Sequence, residues 1–329
     1  MTSGILFDIK RFALHDGPGL RATVFLKGCP LSCLGCHNPE GQGMRPELLF
    51  RPDRCNGCRD CLVVCSRKAL AWEGEPGKVG GSLPGETSSL RFLRDRCDVT
   101  GACVGVCLPG ALEVVGTEWT TAEVLAAVES DRLYYEESGG GVTFSGGEPF
   151  AQPDFLRELL EGCRDRDLST IVDTCGHVSP HDFRAVAPLA DGLLFDVKLV
   201  DGDRHEAFTG VHNRWILENL RWLGGGGGNG RGDGDGPSVL VRIPLIPGVN
   251  DDEGNLRAAA SLLSGLPWAF PVDLLPYHRL GEDKYERMGR SYRLSETRPP
   301  EEGKVLEAAR VFRREGLRVT IRGENHDHD

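Results

Sequence analysis

From about residue 118 onward the chain alternates between short apolar, β-branched runs and longer stretches whose apolar residues recur every three or four positions. The first pattern suits strands and the second amphipathic helices. Counting one run near the start, seven segments read as strands: 21–26, 142–145, 170–173, 193–198, 239–245, 272–275 and 318–321. Between them the spacing predicts helices over 122–129 (capped by Thr121), 154–164, 181–188, 214–223, 255–263 and 303–315. Regular alternation of this kind predicts an α/β fold, a parallel sheet wrapped by helices.

Two stretches break the rhythm. Residues 51–116 are poor in helical periodicity and rich in Cys, Gly and Pro, so they read as a module inserted between the first strand and the first helix of a domain formed by 1–50 and 117–329. Nine of the 13 residues in 224–236 are glycine and the rest are polar, a composition that cannot bury apolar surface and predicts a flexible surface loop. That run lacks the Lys-Ser/Thr ending of a phosphate-binding loop.

The whole chain has 329 residues with 38 Lys and Arg against 49 Asp and Glu, a net charge of −11 that argues against a broad nucleic-acid-binding face. Charged residues appear early and no apolar run approaches the length of a membrane span, so the expectation is a cytoplasmic protein with neither membrane nor nucleic acid as partner. Twelve cysteines in such a chain point to metal ligation, because reducing cytosol keeps thiols free. Ten of them lie between Cys29 and Cys107, while Cys163 and Cys175 stand apart.

Cys29, Cys33 and Cys36 follow the first strand and would point into one loop. Three thiolates without a nearby fourth leave one iron of a [4Fe-4S] cluster open for a ligand. A zinc site with His37 as fourth ligand is the competing reading, weakened because His37 is adjacent to Cys36. In the inserted stretch, Cys55, Cys58, Cys61 and Cys65 have the two, two, three spacing of a bacterial ferredoxin half, and Cys97, Cys103 and Cys107 form its partner. Because the fourth cysteine of each half ligates the other cluster, Cys55, Cys58, Cys61 and Cys107 would hold one complete [4Fe-4S] cluster. Cys65, Cys97 and Cys103 would hold a second, [4Fe-4S] or [3Fe-4S], since Thr100 stands where a cysteine is expected. Asp98, Thr100 or water are the available fourth ligands.

The three-cysteine spacing resembles the radical S-adenosylmethionine superfamily, and within it the activating enzymes of glycyl radical enzymes, such as those acting on pyruvate formate-lyase. The runs Phe7 to Arg21, Cys36-His-Asn-Pro-Glu40, Ser145-Gly-Gly-Glu-Pro149, Asp173-Thr-Cys-Gly176, Asp196-Val-Lys198, Arg242 to Asp251 and Leu274 to His278 carry the resemblance along nearly the whole chain. It implies a partial (β/α)6 TIM-type barrel with a ferredoxin-like insert, in which S-adenosylmethionine is cleaved reductively and the resulting 5′-deoxyadenosyl radical takes hydrogen from a glycine of a partner glycyl radical enzyme. No side-chain acid or base is required for that step. The resemblance maps Gly35, Cys36, His37, Gly147, Val197, Lys198, Leu199, Val200, Asp201 and His278 onto cofactor contacts. Gly146 and Gly147 would let backbone approach the ligand, and Glu148 would face its ammonium group. Asp173, Thr174, the Leu194 carbonyl and Asp196 become candidates for a monovalent cation, and Asp16 and Arg21 for the incoming peptide. The insert would relay electrons from a flavodoxin or ferredoxin. The family usually has an aromatic residue where this chain has Gly35, so that contact is lost or supplied elsewhere. Alternative readings are a radical enzyme acting on another peptide or small molecule, and an electron carrier built on the ferredoxin module.

Overall fold

The computed structural model describes residues 2–73, 89–227 and 236–324. Thirteen strands run in chain order: β1 (Ser3–Ala13), β2 (Arg21–Leu26), β3 (Glu47–Phe50), β4 (Leu70–Glu73), β5 (Ser89–Phe92), β6 (Leu112–Val115), β7 (Thr117–Thr120), β8 (Gly141–Gly146), β9 (Thr170–Thr174), β10 (Gly192–Asp196), β11 (Ser238–Leu245), β12 (Val272–Pro276) and β13 (Val319–Ile321). The seven strands expected from the pattern are β2 and β8 to β13, and they pair in parallel in that order within one sheet. Six βα units therefore lead from β2 to β13, the arrangement of a partial barrel. Most of the glycine-rich stretch, residues 228–235, lies outside the described residues.

Two strands of the sheet were not foreseen. β1 pairs antiparallel with β2, and β7 pairs antiparallel with β1, extending the sheet to the order β13-β12-β11-β10-β9-β8-β2-β1-β7. Both are partly exposed, with polar residues that dilute the apolar signal a buried parallel strand gives. The first helix, Thr121–Glu129, is capped by Thr120 instead of Thr121. Thr120 accepts from the Glu123 N–H while Glu123 accepts from the Thr120 N–H, a reciprocal capping box. Thr121 is already helical, and its hydroxyl donates to the Thr2 carbonyl and to Glu158.

The parallel strands have two unlike faces. Val24, Phe144, Val172, Leu193, Val241, Val272 and Val319 lie on the face packed under helices, among them Pro153–Arg164, Arg214–Gly224, Glu253–Ser264 and Glu302–Arg314, and they form the main core. The opposite, concave face carries Arg21, Thr23, Thr143, Ser145, Asp173, Asp196, Arg242, Asp273 and Thr320, alternating with the core positions as strand geometry requires. Its amino-terminal end is covered by the β1–β2 turn, where the Asp16 carbonyl accepts from Thr143 and the Asp16 carboxylate accepts from Thr23.

The cysteine-rich stretch forms two antiparallel pairs, β3 with β6 and β4 with β5, and two short helices, Asp60–Val64 and Ala102–Gly105. Leu48, Phe50, Leu70, Leu90, Ala111 and Leu112 give it a core of its own, against which six of its cysteines pack.

Candidate active site

β2 ends at Leu26, and the chain then makes a loop that returns on itself: Gly28 N–H donates to the Gly41 carbonyl at 2.8 Å and Cys29 N–H to the Gln42 carbonyl at 2.9 Å. Within the loop, Ser32 and Leu34 N–H groups donate to the carbonyls of Thr209 and Phe208, at the end of helix Gly202–Thr209. Cys29, Cys33 and Cys36 are thus held at the carboxyl end of the parallel sheet, where α/β proteins bind ligands. Burial pushes the thiols of Cys33 and Cys36 up, to about 12 and about 11. Among the described residues no three His, Cys, Asp or Glu side chains converge closely enough to share a single metal ion.

Gly147 explains why the Ser-Gly-Gly-Glu-Pro run must be glycine there. A Cβ on it would stand 2.3 Å from both the Gly28 and the Gly41 carbonyl oxygens, so the β8 loop and the cysteine loop touch through backbone alone. Gly146, at φ +121°, makes a similar approach to the Leu26 carbonyl. Glu148 is buried and spends its oxygens on the protein: Thr174 Oγ1 and Cys175 N–H donate to it at 2.7 Å, and Phe150 N–H at 3.2 Å. Glu148, the expected ammonium partner, clamps the β8 and β9 loops together. Thr174 is committed to the same clamp and accepts from Gly176 N–H.

Asp173, Asp196 and Lys198 come together, with a fourth member to which the resemblance assigned no site role. Arg242, from β11, pairs with both Asp173 and Asp196, and Lys198 Nζ lies 2.9 Å from Asp196. Ser145 donates to Asp173 at 2.7 Å. Asp173 and Asp196, two of the candidates for holding a monovalent cation, both face the Arg242 guanidinium. Burial raises Asp173 to about 6, with Arg242 opposing. Burial also works against the charge on Asp196, but Lys198 and Arg242 outweigh it and hold that carboxyl below the usual carboxylate range.

The remaining expected contacts divide. His37 and His278 stack face to face, with ring centroids 4.4 Å apart and 13° between planes, and His37 Nε2 lies 3.2 Å from the His278 carbonyl. Val197 and Leu199 turn their side chains into the protein, leaving backbone to meet a ligand, while Val200 is half-buried against the core. Asp201 caps helix Gly202–Thr209 by accepting from Arg204 N–H. Asp16 reaches the concave face through Thr23. Arg21 corrects the expectation of a peptide contact. It is fully buried, and its guanidinium donates to Thr143 Oγ1 and to the carbonyls of Val142, Ser169 and Pro18, bracing the covered end of the barrel. Cys175 was missed: its thiol faces that of Cys29 beside Glu148, a juxtaposition its separation in sequence conceals.

Two cavities lie in the cysteine-rich stretch. One is lined by Cys55, Cys58, Cys61 and Cys107, and the other by Cys65, Cys97, Cys103, Asp98 and Thr100. These are the two ligand sets expected from the crossed ferredoxin pattern, each spread around a space instead of gathered at a point. The backbone repeats as well. Gly57 and Arg59 have φ +72° and +67°, and Val99 and Gly101 have +55° and +76°, so Thr100 sits in the loop conformation of the cysteine it replaces.

Three family models match: "Radical SAM superfamily" over residues 105–258, "4Fe-4S dicluster domain" over 54–111 and "4Fe-4S single cluster domain" over 15–74. An isethionate sulfite-lyase activating enzyme of Nitratidesulfovibrio vulgaris is 42% identical over 299 residues, 90% of this chain and 91% of the relative. A trans-4-hydroxy-L-proline dehydratase activating enzyme of Clostridioides difficile is 36% identical over 321 residues, 97% of this chain and 99% of the relative. This chain belongs to the activating enzymes of glycyl radical enzymes. A solved domain of a pyruvate-formate lyase-activating enzyme from Bacteroides vulgatus shares 33% identity, covering 56% of this chain and 99% of its own, with a TM-score of 0.45.

As a radical S-adenosylmethionine activating enzyme the chain uses that cofactor with a [4Fe-4S] cluster, together with additional ferredoxin-type clusters. At Gly35, a Cβ would meet Leu294 Cδ1 at 2.7 Å, with Tyr292 and Tyr277 next, so side chains from residues 277–294 occupy the space beside it.

Proposed function

We propose that the activating enzyme holds its S-adenosylmethionine cluster through Cys29, Cys33 and Cys36, and that residues 1–50 and 117–329 act as the catalytic domain for a glycine-bearing loop of a glycyl radical enzyme. The observation that carries this reading is the three-cysteine loop set over a polar concave face whose other end is covered by the Asp16 turn. When bound, the cluster and S-adenosylmethionine supply an electron and a 5′-deoxyadenosyl radical. The chain's own work is positioning and exclusion of water. The Asp173, Arg242, Asp196 and Lys198 network fixes the charges facing the cofactor's carboxylate. The His37 and His278 stack offers a flat wall, and backbone from Val197 to Asp201 offers hydrogen-bonding groups without side chains in the way. Asp16 stands at the inner face where a peptide would end. The relatives above, 36–42% identical, are named for a sulfite-lyase and a dehydratase, so an eliminating glycyl radical enzyme is the first partner to test. Anaerobic reconstitution followed by dithionite should yield 5′-deoxyadenosine, and a glycyl radical signal on the partner by electron paramagnetic resonance. Absence of both with full iron content would sink the reading.

Residues 51–116 serve in this proposal as an electron relay from a flavodoxin or ferredoxin. Support comes from Leu108, 95% exposed, and Val63, 86% exposed, which follow Cys107 and Cys61 of the first cavity and leave an apolar rim for a donor protein. The double substitution of Cys55 and Cys58 by Ser is expected to abolish activation driven by the natural donor while dithionite still supports it. Unchanged activation with the donor would exclude the relay.

A further inference from the structure

The proposed function leaves a cluster of buried tyrosines without a task. Tyr277 follows β12, Tyr285 lies on helix Glu282–Arg287 and Tyr292 comes just after it; all three are buried, and Cys33, Leu34 and Cys36 pack against them. The hydroxyls of Tyr277 and Tyr292 bond to each other at 2.7 Å, and Tyr277 donates to the Leu294 carbonyl at 3.2 Å. Tyr285 differs. Its ring packs on Tyr292 with centroids 5.0 Å apart, yet its buried hydroxyl donates to nothing in the protein; only the Cys36 backbone N–H approaches it, as a donor. Cys36 and Cys33 lie beside it.

The segment carrying Tyr285 is anchored to the same loop by its neighbours. Lys284 pairs with Glu40 at 2.7 Å and donates to Asn38 at 2.8 Å, and Arg290 donates to the Pro39 carbonyl. Tyr285 is therefore fixed relative to Cys36, only a few residues before those anchors. We infer that Tyr285 donates its phenolic hydrogen to a sulfur of the cluster held by Cys29, Cys33 and Cys36, acting as a positioning residue that sets that cluster's reduction potential. The inference rests on the proposed location of that cluster. A hydrogen bond to cluster or cysteine sulfur stabilises the reduced, more negative state, so the potential rises when it forms.

The test is a redox titration of the reconstituted holoenzyme, following the reduced-cluster signal that changes on addition of S-adenosylmethionine. Tyr285→Phe is expected to move its midpoint to lower potential at unchanged iron content. Tyr292→Phe removes the same atom from the same cluster but a hydroxyl already paired with Tyr277, and should leave the midpoint in place. An unmoved midpoint in Tyr285→Phe, or equal shifts in both variants, overturns the inference. A signal that never responds to S-adenosylmethionine in the unsubstituted enzyme would count against the cluster's location, a separate failure. Should Tyr285→Phe not fold, the unsubstituted enzyme still decides: a reduced cluster showing no exchangeable proton coupling in deuterated water overturns the hydrogen bond.

Discussion

Gly147 shows how a motif that looks like a ligand contact can be required by packing first. Its Cα faces two carbonyl oxygens of the cysteine loop, and a methyl group would need 2.3 Å approaches to both, far inside contact distance. Gly147→Ala is therefore expected to displace the cysteine loop and to cut the iron bound per chain, measured by iron analysis and by the spectrum that responds to S-adenosylmethionine. Full iron content in that variant would show that the loop can move without cost. At this scale the grouping of the cysteines was legible, because spacing alone anticipates which thiols line one pocket, with Cys107 beside Cys55, Cys58 and Cys61 and Cys65 beside Cys97 and Cys103. Arg242, Cys175 and Tyr285 were not, because their meaning depends on partners 46 or more positions away that only strand and loop geometry bring near, as with the Arg242 contacts to Asp196 and Asp173.

Across strands, the charged row is a property of register. Asp196 is the Cα partner of Arg242, Arg242 of Asp273, and Asp273 of Thr320, so the row crosses β10 to β13 at one level. Arg242, with Lys198, compensates two half-buried carboxylates, and losing charge-assisted hydrogen bonds of this kind costs about 1.5–3 kcal/mol. Arg242→Met should destabilise the iron-free protein by that order, read from the urea midpoint, and weaken cofactor binding as well. A stability loss near zero would mean that water reaches the aspartates freely. The pattern of hydrophobic residues located every parallel strand because each is covered on one face by helices. It passed over β1 and β7 because partly exposed antiparallel strands present a mixed sequence. It missed the short helix Glu282–Arg287, whose single buried residue, Tyr285, gives no periodicity to read.

For the molecule as a whole, buried thiols give a pH dependence whose sign follows from their direction of shift. Burial raises Cys33 and Cys163 to about 12, and Cys36 and Cys61 to about 11, above the ordinary thiol value of about 8.5. The folded iron-free chain therefore keeps protons that the unfolded chain releases, and its stability falls as pH rises from about 8.5 through about 12. Urea midpoints at pH 8 and pH 10 should show the drop in the iron-free protein. The loaded protein should show much less of it, since ligation removes the protons of all these thiols except Cys163. Equal midpoints at both pH values would contradict the assigned shifts.

The cysteine-rich stretch leaves and re-enters the rest of the chain through one antiparallel pair, in which Glu47 faces Val115 and Phe50 faces Leu112. Its two ends consequently meet at a single seam. Cutting there and joining the ends with a short turn would leave every parallel strand in its register. Such a seam lets a genome gain or discard the whole accessory module in one insertion or deletion, without rewriting the barrel it serves.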